Sequence, residues 1–273
     1  MPRISFIPLC IALLFPLHGA GAQTCAEIVS RLPRLAGGAD LVAGNTGGRT
    51  YKQLYDECDS RDTFAGTALP RFHGRPLKCS TDRNRVDFLK KFPDGTIVFR
   101  AKAAVDADGS PASMGPGASP TDQPQTWLTF DPGSDRHFVN AEDVPFVVVP
   151  IPFQAKNISF LRDTGIGKGD LAVAIRGSRC SFGVVGDAGP YFRLGEASIA
   201  THADLGNPQC AVAGQHPCMK LKAGGGGVGI GSGVTYVIFP GTRPQPLLSQ
   251  TVVQVAGSAA SGRALTFFRQ FAP

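Results

Sequence analysis

Apolar residues in this chain come in short runs cut by glycine, proline and aspartate, the pattern of strands joined by turns rather than of long helices. The runs begin near residue 95. Thr96 to Ala104 predicts a strand, and Val105 to Ser119, rich in Gly, Pro and Asp, predicts a loop. Trp127 to Phe130 predicts a short strand. Phe146 to Phe153 is apolar but broken by Pro150 and Pro152, which sets it near a sheet edge or end. Leu171 to Ile175 and Ser181 to Val185 flank Gly177-Ser178 and predict a hairpin. Gly195 to Leu205 reads as a helix, Val234 to Phe239 as a buried strand, and Leu247 to Ala260 suits either. Several short strands with few helices suggest a barrel or a sandwich.

Before residue 90 apolar runs are sparse, and Cys25 to Leu32 and Tyr51 to Cys58 predict short helices. The extreme N-terminus reads as an export signal: Arg3, an apolar stretch from Ile4 to Leu17, then Ala20-Gly21-Ala22 before Gln23. Three regions follow: a signal peptide at 1–22, a disulfide-containing region at 23–90, and a main domain at 91–273. Export makes Cys25, Cys58, Cys79, Cys180, Cys210 and Cys218 three disulfides, with Cys210–Cys218, the shortest loop, the preferred single pair. No later apolar run approaches the length of a membrane span. The expectation is a monomeric secreted or periplasmic protein without a membrane partner.

Composition narrows the picture. Hydrophobic residues make up 42% of the chain, a folding composition, while a charged fraction of 18% is low for a coiled coil. Net charge is +6, but its distribution says more than its sum: residues 23–103 carry +5, residues 104–204 carry −5, and residues 205–273 carry +5. The basic residues are scattered and not interleaved with aromatics, which argues against nucleic acid. The acidic middle suits a cationic or neutral ligand.

Several chemistries are absent from the sequence. There is no G-x-S-x-G elbow and no H-E-x-x-H; His73, His137, His202 and His216 are dispersed, so no metal site is expected. The Gly-rich stretch from Ala223 to Gly233 carries no lysine and reads as a loop feeding the strand at Val234. What stands out is Val184-Val185-Gly186-Asp187-Ala188-Gly189-Pro190, followed by Leu194-Gly195-Glu196-Ala197-Ser198. Asp187 ends an apolar strand and Glu196 opens the expected helix. Two carboxylates joined by a strand–turn–helix can divide acid and base roles in glycoside hydrolysis. Aspartate in a turn and glutamate in a first helical turn are equally common for structural reasons.

From about residue 96 to 241 the chain resembles the fungal-type chitosanases of glycoside hydrolase family 75. The resemblance rests on an ordered set of motifs: Phe99 to Gly109, Gln123-Pro124-Gln125-Thr126, Val144 to Pro150, Gly169 to Val173, the segments around Asp187 and Glu196, and Val234 to Gly241. The expected fold is mostly β, a small barrel, of double-psi type by analogy with the strand–GDxGP–helix segment, with a few short helices and, from its cysteines, a disulfide-stapled N-terminal region before it. The resemblance implies endo-acting, inverting cleavage of β-1,4-linked glucosamine chains of chitosan without a cofactor. Asp187 and Glu196 would be the catalytic acids, with a slight lean to Glu196 as general acid. Asp106, Asp108, Asp143 and Asp170 could line the cleft and pair with glucosamine ammonium groups, or be turn and loop residues. Phe182, Tyr191, Phe192 and Trp127 could be sugar platforms or core. Residues 23–90 have no recognised counterpart, and SPASMGPGASP after Gly109 lacks the tyrosine and histidine seen in bacterial relatives. Two other readings stay open: hydrolysis of peptidoglycan or another wall glycan, where a basic surface would help, and non-catalytic glycan binding on the same scaffold.

Overall fold

The computed structural model describes residues 18–130, 138–222, 228–246 and 249–271. Its sheet contains β1 (Ala39–Asp40), β2 (Phe88–Lys91), β3 (Ile97–Asp106), β4 (Phe146–Pro150), β5 (Leu171–Arg176), β6 (Arg179–Gly189), β7 (Glu196–Ser198) and β8 (Ile230–Phe239). Six of these close a ring in the order β3-β7-β4-β6-β5-β8, with β8 returning to β3. The parallel pairs are β7 with β3 and β4 with β6; the other pairings in the ring are antiparallel. β2 pairs with the first half of β3, through Lys91 opposite Ile97, and β7 pairs with its end, through Ser198 beside Asp106. The expected mostly β fold, a small barrel with short helices, is what the chain adopts.

The helices are α1 (His18–Arg31), α2 (Tyr51–Arg61), α3 (Phe160–Thr164), α4 (Ile199–Asp204) and α5 (Ser249–Arg269). Among the described residues no helix is long and apolar enough to cross a membrane. Because side chains alternate along a strand, the sheet divides into two apolar faces. One joins Ala101, Val147, Ala174, Val185, Ala197 and Tyr236 to Tyr51, Leu54 and Tyr55 of α2. The other joins Val98, Val173, Val184 and Val237 to Ile28 of α1 and to Ala260 and Phe267 of α5. Residues 23–90 therefore give two strands to the sheet and a helix to the main core.

Disulfides join Cys25 to Cys180, Cys58 to Cys79 and Cys210 to Cys218, the last as expected. A capping box of Thr50 and Gln53 starts α2 where the sequence suggested. Gly177 has φ of 56°, as the two-residue turn between β5 and β6 requires. Cleavage before Gln23 would cut inside α1; residues 1–17 of the expected signal lie outside the described residues.

Two expectations need correction. Gly195 to Leu205 is not one helix: Glu196–Ser198 form β7, and α4 starts only at Ile199. The Ser198 hydroxyl oxygen accepts hydrogen bonds from Thr201 N–H at 3.1 Å and from Phe146 N–H at 3.0 Å, so the last residue of the strand caps the helix. Trp127 to Phe130 is not a strand but a connection, with a single bridge between Thr129 and Phe138.

The close approach of β6 to β4 fixes Gly186. A Cβ there would lie 2.4 Å from Phe146 Cγ, far inside contact distance. Gly186→Ala is expected to cost about 1–3 kcal/mol of stability through overpacking, measured as a lower denaturant midpoint. A midpoint equal to that of the parent would show that the ring closes without this contact.

Candidate active site

β3 ends on Asp106, and the chain turns at once: the Asp108 N–H donates to Asp106 Oδ1 at 2.7 Å. Asp108 Oδ1 in turn accepts the Gln123 N–H at 2.6 Å, which ties down the long connection that follows. Gly109 completes this turn with φ of 74°, its Cα against the Val139 carbonyl, where a Cβ would lie 2.1 Å from the oxygen. Asp187 reaches the same place from β6. Val185 pairs with Val147 and Asp187 with Val148, so Gly186 is an extra residue, a bulge. A bulge moves the following side chain to the other face of the sheet. Asp187 Oδ1 there accepts the N–H groups of Trp127 and Ala188, both at 2.8 Å. β3 and β6 stand three places apart in the ring, yet Asp106, Asp108 and Asp187 each offer an oxygen within 4.8 Å of the others. These aspartates therefore meet across the ring.

Glu196 comes from β7. Ala197 lies opposite Val147, which puts Glu196 opposite Val148, and Val148 is the partner of Asp187. Glu196 and Asp187 thus flank one residue across three strands, a Cα separation of about 10 Å for two strand spacings. Gly189, beside Val148, leaves room for the glutamate: a Cβ there would lie 3.2 Å from Glu196 Oε2.

Burial dominates the electrostatics. Asp106 is 5% exposed and Asp187 7%. Burial, then the Asp187 and Asp108 charges, pushes Asp106 well above the usual carboxylate range. Burial pushes Asp108 up to about 8. Asp187 is also raised by burial, but its two backbone N–H bonds and hydrogen bonds from Asp108 and Asp106 favour its ionised form. The trio accordingly holds protons on Asp106 and Asp108 and its charge on Asp187. The same oxygens form a set that a hard cation could use. Glu196 is pushed up to about 7, by burial against the pull of Lys102.

Two further groups belong here. Lys102 is 4% exposed, and its Nζ lies 2.6 Å from Asp82 Oδ2. Burial lowers its pKa, against the attraction of Asp82. Asp122, raised to about 6 by burial, adds a like charge near Glu196. Neither was a sequence candidate. The signal for Lys102 is a lysine inside the near-continuous apolar run of β3. Asp122 carries no such signal in its polar loop.

The remaining candidates lie elsewhere. Asp170 accepts N–H bonds from Gly167, Thr242 and Arg243 and so fastens a loop. Asp143 sits 3.9 Å from His216, whose other nitrogen bonds Glu142. Phe192 is core, and Tyr191 stacks on Phe153 at 4.2 Å. Phe182 packs half-buried on the second apolar face, and Lys168 lies over the half-buried Trp127 ring. His202 is buried against the Ala104 carbonyl; His137 lies outside the described residues.

A cleft of about 640 Å³ opens on Glu196, lined also by Lys102, Arg193, Leu194 and residues 81–83. The three clustered aspartates are not among its lining residues. No family model matches the chain, and no curated protein matches it.

The buried protons make stability depend on pH. Unfolded aspartate and glutamate titrate near 4, whereas folded Asp108 and Glu196 hold their protons to about 8 and about 7. The folded state binds more protons between these limits, so stability falls as pH rises from about 4 to about 8. The melting temperature is expected to drop by roughly 20 °C over that range. In Asp108→Asn the drop should shrink by about half. A parent protein that grows more stable over the same range would contradict the proton-holding cluster.

Proposed function

We propose that the protein is an inverting, endo-acting glycoside hydrolase of β-1,4-linked amino-sugar chains; the family resemblance implies chitosan, whereas the cations lining the cleft favour a chain with fewer ammonium groups. The observation that carries this is the placing of Glu196 and Asp187 on either side of Val148, in environments that set them apart. Glu196, protonated below about pH 7, gives its proton to the glycosidic oxygen as the C1–O bond breaks. Asp187, its charge favoured by Trp127 and Ala188 N–H and by its protonated neighbours, takes a proton from the water that bonds to C1 from the opposite face. The product is the α-anomer. A Cα spacing of about 10 Å accommodates the roughly 6.5–9.5 Å between carboxyl groups that inversion needs. Glu196 lies on a strand, so no helix dipole favours its ionised form, which strengthens its assignment as the acid.

Three disulfides fit maturation in an oxidising compartment, and with it secretion or a periplasmic location. A second substrate, a wall glycan, is favoured by the cations lining the cleft. Non-catalytic glycan binding on this scaffold is the competing class.

Purified protein on chitosan, chitin and peptidoglycan separates these readings. Glu196→Gln and Asp187→Asn are each expected to lower turnover by about 10²–10⁴-fold. Proton NMR of the first products should show the α-anomer, and the rate should fall above pH 7. A β-anomer, or full activity in either variant, would remove this pair from the mechanism. Binding without cleavage by the parent would leave the non-catalytic reading.

A further inference from the structure

The wall of the cleft facing Glu196 is built by the N-terminal region. Phe72, Leu77, Thr81, Asp82, Arg83 and Arg85 line it. Asn84 holds this segment in place. It is fully buried, its Nδ2 donates to Phe192 O at 3.1 Å and to Asp59 Oδ1 at 3.0 Å, and its Oδ1 accepts the Leu194 N–H at 2.8 Å. Its carbonyl accepts the Lys102 N–H at 3.1 Å, which joins the segment to β3. With Asn84 turned inward, its neighbours Arg83 and Arg85 are both exposed and both line the cleft. The Cys58–Cys79 disulfide anchors the start of the same segment.

The charges facing this space do not balance. Asp82 is already shared: Lys102 Nζ lies 2.6 Å and Arg193 Nη1 2.9 Å from its Oδ2. Neither Arg83 nor Arg85 forms an ion pair among the described residues. The other carboxyl on the lining is Glu196, which carries its proton under the proposed working conditions. A ligand therefore meets Lys102, Arg193, Arg83 and Arg85 against one carboxylate. A chain of ammonium-bearing sugars is repelled by such a wall. A chain bearing carboxylates is attracted, and the planar guanidinium of arginine matches a carboxylate with two parallel hydrogen bonds.

We infer that the cleft beside Glu196 takes a glycan that carries carboxylate groups, and that the Arg83–Arg85 wall selects it. This rests on the reading of Glu196 as proton donor to a glycosidic bond, and it names the substrate class for the Glu196 side of the site, since Asp187 does not line this cleft. The N-terminal region then has a defined role: it turns a general amino-sugar site into one for acidic chains.

The test compares three probes on the full mature protein: peptidoglycan glycan strands with their lactyl carboxylates free, the same strands with those groups amidated, and chitosan. Binding by calorimetry and product release are both measured. Free strands are expected to bind at least tenfold tighter than amidated strands, with the difference shrinking in 0.5 M salt. Arg83→Gln/Arg85→Gln should erase most of that difference while keeping the melting temperature. Equal affinity for free and amidated strands, or tightest binding to chitosan, would overturn the inference. The probe comparison needs no variant, so it stands even if the double substitution fails to fold. Selective binding with no cleavage of any chain would sink the hydrolase reading alone, whereas cleavage of chitosan with no carboxylate preference would sink this inference alone.

Discussion

A carboxyl group taken out of water has to keep its proton, meet a cation or collect hydrogen-bond donors. The barrel sets this condition on several carboxyl groups in one place, because closing the ring brings β3 and β6 to opposite sides and their aspartates face to face. Asp187 collects donors, from two backbone amides and two neighbouring acids, and carries the charge. Asp106 and Asp108 keep protons because burial opposes their charges, and the neighbouring charge on Asp187 opposes them further. Glu196 stands apart, next to Lys102, and holds a proton more loosely. One constraint thus produces three kinds of acid within a few residues of sheet.

Register turns this chemistry into geometry. A single extra residue at Gly186 decides that Asp187, and not a neighbour, faces the cluster. Three residues of β7 decide that Glu196 faces the same row, opposite Val148. Neither device is large, and both depend on backbone pairing rather than on the side chains that they present. The site is accordingly rigid in its strands and open on one flank, where the wall from the N-terminal region stands.

Much of the fold was legible in the sequence because alternation and turn chemistry act locally. The β5–β6 hairpin follows from two apolar runs around Gly177-Ser178, and β8 from one buried run. The segment Glu196 to Asp204 was misleading for the opposite reason. Its residues suit a helix, and only pairing with Ala104 to Asp106, far away in the chain, makes the first three a strand. The site was legible in kind: Asp106, Asp108, Asp187 and Glu196 were all candidates, with Asp187 at the end of an apolar run and Glu196 just after the turn that follows it. Which acids would meet was not, since Asp170 sits just before an apolar run yet is consumed by loop amides. Asp82, Arg83 and Arg85 sat in a region without apolar pattern, so nothing local tied them to the site.

The covalent link between Cys25 and Cys180 imposes an order of events on synthesis. The other two bridges span 21 and 8 residues and can close as soon as each short stretch leaves the ribosome or translocon, but this one spans 155. In an oxidising compartment Cys25 waits with a free thiol while Cys58 and Cys79 emerge beside it. Among these three the native Cys58–Cys79 loop is the shortest, and closing a short loop costs less than closing a long one, so Cys25 is the thiol left over. The Cys25–Cys180 bond can therefore close only after β6 has arrived, so its formation reports that the N-terminal helix has docked on an assembled strand.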